Sequence, residues 1–402
     1  MAERKKPPSA SRSPEDSLIR RAKRQRLAEP EGIKVLPPPS QLVGTNSPST
    51  VENTNATVAL SALLEFTAVS SHPDIHCRFD QIARALCHNH LLVVTTQLAS
   101  AEPRRSEYEF LEIEFYLRKQ DVHEDPFTHG SREQKSSGNW YFHRAPQKSA
   151  NPAKSATSAA GYRGGTRKGL DLTIGGPIAS AHFPQSARTD EDGPRGGVLF
   201  RSIRRVADDT VISGPSLLVD ELLRVCGATS IAELINERLA NDTSAFSSIT
   251  SSLHRTCSIT LVPRSPAQGR KPIVYSSPRI GLDLSHPGTT ITPSDLRIIF
   301  IQKSYRYFLY PALLTANGRP QTFLGLYILL LEAEIINEEG VLGEVSKLSG
   351  LKRSSVDKYV SEYRRGKKSG KITSFVGLAG KGASSSPTTY LRMMGTLARL
   401  SA

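Results

Sequence analysis

The stretch EFLEIEFYLRKQDVHEDPFTHG, residues 109–130, decides how the chain is read. Taken as a strand with side-chain period two, it sets Leu111, Ile113, Phe115 and Leu117 on one face and Glu112, Glu114 and Tyr116 on the other. The first face is suited to burial. The second carries two carboxylates and a phenol just before a turn rich in His, Asp and Pro, in which His123 reads as a loop residue and His129 comes after it. Alternating acids also describe the wet face of an amphipathic strand, in which case Glu112 and Glu114 only solvate the sheet.

Outward from this strand, RFDQIARALCHNHLLVVTTQL (78–98) predicts a helix running into an apolar strand, and the charged segment 101–107 then closes a hairpin spanning 90–117. Further strands are expected in NWYFHR (139–144), KGLDLTIG (168–175), GGVLFRSIRRV (196–206), 257–262 and 272–281. Helices are expected after Gly214-Pro215 and over 228–240. Trp140, the single tryptophan, reads as core. Polar, small-residue segments at 145–161 and 182–195 read as surface insertions. The expected fold is α+β, a curved antiparallel sheet with surrounding helices over residues 59–315.

Two basic flanks complete the chain. Residues 1–58, rich in Ser, Pro and charge, read as a disordered tail. They contain RRAKRQR (20–26), the kind of cluster that serves as a nuclear import signal or a nucleic-acid patch. Residues 316–402 read as a helical extension. Within it, VLGEVSKLSGLKRSSVDKYVSEYRRGKK (341–368) has the outline of a helix-turn-helix, with Ser354 at the start of its second helix. Residues 341–402 hold twelve Lys or Arg against three Asp or Glu, which suits phosphate contacts.

The formal net charge of the 402 residues is +14, so a polyanion is the first partner to consider. Four cysteines at positions 77, 87, 226 and 257 form no CxxC pair, which argues against a disulfide framework and a thiolate metal site. The irregular spacing of His76, His88 and His90 around Cys77 and Cys87 argues against zinc as well. No run of eighteen apolar residues occurs, so no membrane span is expected. Arg201 stands in the middle of the apolar strand GGVLFRSI, where an unpaired guanidinium is costly, and it must meet a carboxylate or solvent.

With these pieces in order, the chain over roughly residues 76–310 resembles the alkyladenine (3-methyladenine) DNA glycosylases of the single-domain kind. EIEFYL followed by DPFTHG is similar to the catalytic segment and pocket histidine of that family. GGVLFRSIRRV is similar to the strand bearing its pocket arginine, GPSLLVDELL to its G-P helix, and SSPRIGLD with RYFL to its closing strands. The resemblance implies that Glu114 activates a water attacking C1′ of a flipped nucleotide and that Arg201 orients the water or the carboxylate. It implies that Tyr116 and His143 stack on the base and that His129 contacts the base or the sugar-phosphate. Asp171 falls where the family tends to carry an asparagine that discriminates between purines, and a carboxylate there donates no hydrogen bond unless protonated. The aromatic wedge of the family is replaced by GYRGGTRKGLDL (161–172), in which Tyr162 is the candidate wedge and Arg163, Arg167 and Lys168 are candidate phosphate ligands. The expected protein is a nuclear, monomeric, metal-independent and cofactor-free glycosylase that releases damaged purines from duplex or single-stranded DNA. The alternatives are an N-glycosidase acting on single strands or nucleotides, and a non-enzymatic nucleic-acid-binding protein on the same fold.

Overall fold

In a computed structural model the described residues are 60–97, 102–145, 161–177, 193–246, 255–265, 271–314, 316–333 and 337–401. All fall within one compact unit, 47–402. The basic cluster at 20–26, the rest of the segment 1–58, and nearly all of the two insertions lie outside the described residues.

Helix α1 (His72–Asn89) starts where Ser71 caps the Asp74 amide and Pro73 sits in the first turn. Its face of Ile75, Phe79, Ile82 and Leu86 is buried against the sheet. The chain then passes directly into β1 (His90–Thr96), which pairs antiparallel with β2 (Arg104–Lys119). Residues 104–107, expected in a connecting loop, are already strand. Next come β3 (His123–Glu124), β4 (Trp140–Phe142), β5 (Leu170–Ile174), β6 (Arg195–Arg205) and β7 (Val211–Ser213). Helix α2 (Pro215–Cys226) is next, ended by Gly227 in the left-handed region. The helix expected over 228–240 is split into one α turn, α3 (Ile231–Glu233), and a π turn over Leu234–Arg238. β8 (Cys257–Pro263), β9 (Tyr275–Ser277), α4 (Leu296–Ile301) and β10 (Arg306–Phe308) complete this part. The expected strand over 272–281 shrinks to three residues.

The ten strands of the described residues form one antiparallel sheet, curled as a half-barrel, with order β4-β5-β6-β2-β1-β8; the short strand β10 pairs with β2, and β9 with β10. One face packs on α1 and α2 through Phe79, Phe110, Phe115, Trp140, Phe200 and Leu222. The other face meets α5 (Arg319–Glu332), α6 (Glu338–Ser349), α7 (Arg353–Ser369) and α8 (Pro387–Leu400), burying Leu111, Phe308, Phe323, Tyr390 and Leu397. No helix of the described residues is long and apolar enough to cross a membrane.

The phase of β2 differs from simple alternation. A bulge at Leu111–Glu112 interrupts its register with β6, so Leu111 joins the helical layer while Phe110, Ile113, Phe115 and Leu117 face α1. An extra residue shifts the two-residue repeat by one and re-aims every side chain beyond it. The face bearing Glu112 and Glu114 is not wet: Glu112 is 4% exposed and Glu114 fully buried. His123, expected in a loop, is also buried; its Nδ1 lies 2.8 Å from the Leu117 carbonyl and its Nε2 2.9 Å from the Tyr305 hydroxyl.

His123 makes the first testable prediction. Burial lowers its imidazole from 6.5 to about 4. The unfolded chain takes up this proton below its own value while the folded chain does not. The contribution of His123 is therefore full above about pH 6.5 and is lost as the pH falls toward 4, roughly 3 kcal/mol in all. Thermal melts between pH 7 and 4 are expected to show a smaller acid-induced drop in Tm for His123→Asn than for the wild type.

The helical layer is held by backbone approach. A Cβ at Gly395 of α8 would lie 1.9 Å from the Tyr363 carbonyl oxygen, and one at Gly366 of α7 would lie 2.0 Å from that of Arg392. Gly395→Ala must push two helix backbones apart, and we expect a loss of at least about 2 kcal/mol in urea unfolding.

Candidate active site

Register alone places six residues in one line, one from each of six strands: Tyr141 opposite Asp171, Asp171 opposite Leu199, Leu199 opposite Glu114, Glu114 opposite Arg306, and Arg306 opposite Ser277. Directly paired residues point to the same face of a sheet. Asp171 and Glu114 are thus two strand steps apart, roughly 10 Å, with the Leu199 side chain between them.

Glu114 is the centre of this row. Its Oε1 accepts the Ile280 backbone N–H at 2.7 Å, and its Oε2 accepts the Tyr116 hydroxyl at 2.9 Å and Arg201 Nη1 at 3.2 Å. A carboxylate offers about four acceptor positions, so three donors fix its plane and leave one position open. Arg201 also lies 3.4 Å, through Nε, from Glu112. Burial works against the charge of Arg201, but the two carboxylates more than offset it and raise its pKa.

Glu112 belongs to a supporting network. It accepts Arg306 Nε at 2.7 Å and the Ser202 hydroxyl at 2.6 Å, and Arg306 reaches on to Ser277 and to Thr322 of α5. Burial alone would raise the Glu112 carboxyl, and Arg306 and Arg201 reverse this and hold it below its usual value. Two carboxylates and two guanidiniums balance within this buried cluster. Arg306 sits in the apolar run YRYF just as Arg201 sits in VLFRSI, so the cost of an unpaired guanidinium points to both.

A second buried pair lies behind Tyr116. Arg279 and Asp125 are both fully buried and joined at 2.5 and 3.2 Å, and Arg279 also donates to the Phe115 carbonyl. The Arg279 guanidinium stands 4.5 Å from the centre of the Tyr116 ring. One face of Tyr116 is therefore occupied by protein.

The structure brings His143 and Asp171 together: Nε2 lies 2.8 Å from Asp171 Oδ1. The other oxygen, Oδ2, accepts Gln134 Nε2 at 3.2 Å. Both oxygens of Asp171 are thus engaged, and the carboxylate orients the imidazole. The two glycines Gly169 and Gly197 permit this packing, since a Cβ at Gly169 would lie 2.6 Å from His143 Nδ1 and one at Gly197 2.8 Å from Asp171. His129 is exposed, with its ring 5.2 Å from His143 and nearly perpendicular to it. Tyr116, His129, His143, Asp171, Glu114 and Arg201 form two groups, one around each carboxylate, with Leu199 between them.

The 161–168 segment adjoins the Asp171 group through its backbone, where the Arg163 N–H donates to the His143 carbonyl at 3.1 Å. Tyr162 is half-buried with the Arg144 guanidinium 4.9 Å from its ring centre, and it accepts a hydrogen bond from Arg144. Arg163 donates to the Arg144 carbonyl, and Lys168 pairs with Asp220 at 2.5 Å. Arg167 is exposed and makes no ion pair among the described residues. No group of three metal-ligating side chains occurs among the described residues.

No family model matches the chain. It is similar to uncharacterized protein L759 of Acanthamoeba polyphaga mimivirus, with 30% identity over 181 residues, 44% of this chain and 69% of the viral protein. Through this similarity, which spans more than two thirds of the viral protein, the chain belongs to the family of that mimivirus protein.

Proposed function

We propose that the chain is a monofunctional DNA glycosylase that flips a damaged purine nucleotide out of the helix and hydrolyses its N-glycosidic bond. The observation that carries this reading is the fixed carboxylate of Glu114, held by Arg201, Tyr116 and the Ile280 amide with one acceptor position left for a water. In this scheme the water gives a proton to Glu114 as its oxygen bonds to C1′, and the base departs with the electrons of the broken C–N bond. A purine alkylated on a ring nitrogen carries a positive charge and leaves neutral. The Asp171–His143 pair, roughly two strand steps away, borders the space for the base, and a carboxylate there suits a cationic purine better than a neutral one. The exposed His129 and Arg167 are the candidate contacts to sugar and phosphate. Base excision from DNA agrees with the chain's net charge of +14 and with a nuclear setting implied by the basic cluster at 20–26.

A second reading has its own observation. Glu114 is fully buried and Arg201 is 8% exposed, as in a retained fold that binds nucleic acid without catalysis. The test is single-turnover base release from duplex and single-stranded oligonucleotides carrying 3- or 7-methylated purines, hypoxanthine or ethenoadenine. Release supports the glycosylase, with cationic methylated purines expected to leave fastest. Salt-sensitive binding without release from any substrate supports the second reading.

A further inference from the structure

We infer that the outer face of α7 is a docking rail for the phosphate backbone of duplex DNA, separate from the residues around Glu114. α7 buries Val356, Tyr359, Val360 and Gly366 in the helical layer. On the opposite face, at steps of four, three, four and three residues, stand Ser354, Lys358, Ser361, Arg365 and Lys368, all exposed. This spacing keeps them in one line along the helix. From Ser354 to Lys368 the line is roughly 21 Å long at 1.5 Å per residue.

The charge of this line is unopposed. The two acids of α7 lie on its flanks and are each engaged within the protein, Asp357 by Arg353 at 2.8 Å and Glu362 by Arg392 at 2.5 Å. Arg364 is spent on Glu338 of α6 at 2.6 Å. Lys358, Arg365 and Lys368 form no ion pair among the described residues. Internal pairing thus consumes the carboxylates and leaves a face of hydroxyls and cations.

The composition of the face also selects among polyanions. It has no aromatic side chain on which an unpaired base could stack, which disfavours a single strand. It has no Asn or Gln to read adenine edges, and a row of cations and hydroxyls along a helix suits contacts to phosphate oxygens. The rail is rigid as well. Backbone contact at Gly366 and Gly395 locks α7 to α8, and Arg399 of α8 donates to the Lys368 carbonyl in the last turn of α7 and to the Gly370 carbonyl just beyond it. A straight, rigid row of cations matches a duplex backbone, whose phosphates are already ordered.

The test is fluorescence anisotropy of the full chain with a random-sequence 20-base-pair duplex across a salt series. It compares the wild type with Lys358→Ser/Arg365→Ser/Lys368→Ser and with a control of equal charge change, Arg104→Ser/Arg118→Ser/Lys271→Ser. All six positions are exposed, so folding is expected to survive, and circular dichroism checks it. The rail variant is expected to weaken binding at least about tenfold near 0.1 M salt and to lower the slope of log K against log salt by about 2.7, at 0.9 per lost phosphate contact. The control is expected to shift both far less. Equal effects of the two variants would overturn the inference, as would a rail-dependent preference for single strands or for anionic vesicles over the duplex. Binding is read without base release, so the outcome stands apart from the glycosylase reading.

Discussion

Glu114→Gln is expected to reduce single-turnover base release by a factor of about 10² to 10⁴, the usual range for removing a general base. The substitution keeps the size of the side chain but replaces one oxygen by an NH2 group. Three donors converge on the present carboxylate, from Ile280, Tyr116 and Arg201. The amide oxygen can face only one side of this set. If it keeps Ile280, the NH2 group meets Arg201 Nη1, and Arg201 turns wholly toward Glu112. The variant should therefore lose both the base and the position of the guanidinium, at a stability cost of about 1–3 kcal/mol. A melt beside each kinetic trace separates the two effects. Release at the wild-type rate by a folded Glu114→Gln protein would remove Glu114 from the chemistry.

The largest expected effect on stability is at Arg279. Arg279→Leu leaves Asp125 fully buried without its guanidinium, and the carbonyls of Phe115 and Phe300 lose a donor. Removing one partner of a buried ion pair typically costs about 3–5 kcal/mol, because the remaining charge is not resolvated. The pair as a whole contributes much less than that, since burying both ions already carries a desolvation cost. Arg279→Leu with Asp125→Leu is accordingly expected to recover most of the lost stability in urea unfolding. Additive losses in the double variant would show that the two side chains act independently. Arg279 also lies over the Tyr116 ring, so the single variant is expected to loosen Tyr116 and, through it, Glu114.

Much of the sheet and several residues of the candidate site were legible along the chain because they depend on local pattern. The helix-to-strand passage at 78–98 appears as α1 and β1, and Trp140 lies in the core with its Nε1 on the Ile259 carbonyl. The two helices read in 341–368 are present and joined through Gly350 in the left-handed region. The second begins at Arg353 after a Lys352 cap, one residue before the expected Ser354. Arg201 was found by the cost of burying an unpaired cation in an apolar strand, and its carboxylate partners are the two acids of the opening strand. Asp125, Gln134, Arg279 and the Ile280 amide left no comparable local signal. Each acquires its role from a partner far away in the chain, 154 residues in the case of Asp125 and Arg279.

The sequence by itself determined the mixed α and β architecture and the candidate carboxylate and guanidinium, because periodicity and the cost of unpaired charge are properties of neighbouring residues. Only the tertiary structure decided that the Glu112–Glu114 face is covered by the C-terminal helices and not by water. Alternation tells which residues share a face, but it does not tell what lies opposite that face. The same limit applies to the bulge that sends Leu111 into the helical layer and to the pairing of Asp171 with His143 and Gln134. Bulges and long-range hydrogen bonds are settled by which strands and helices meet, and that is decided when the whole sheet closes.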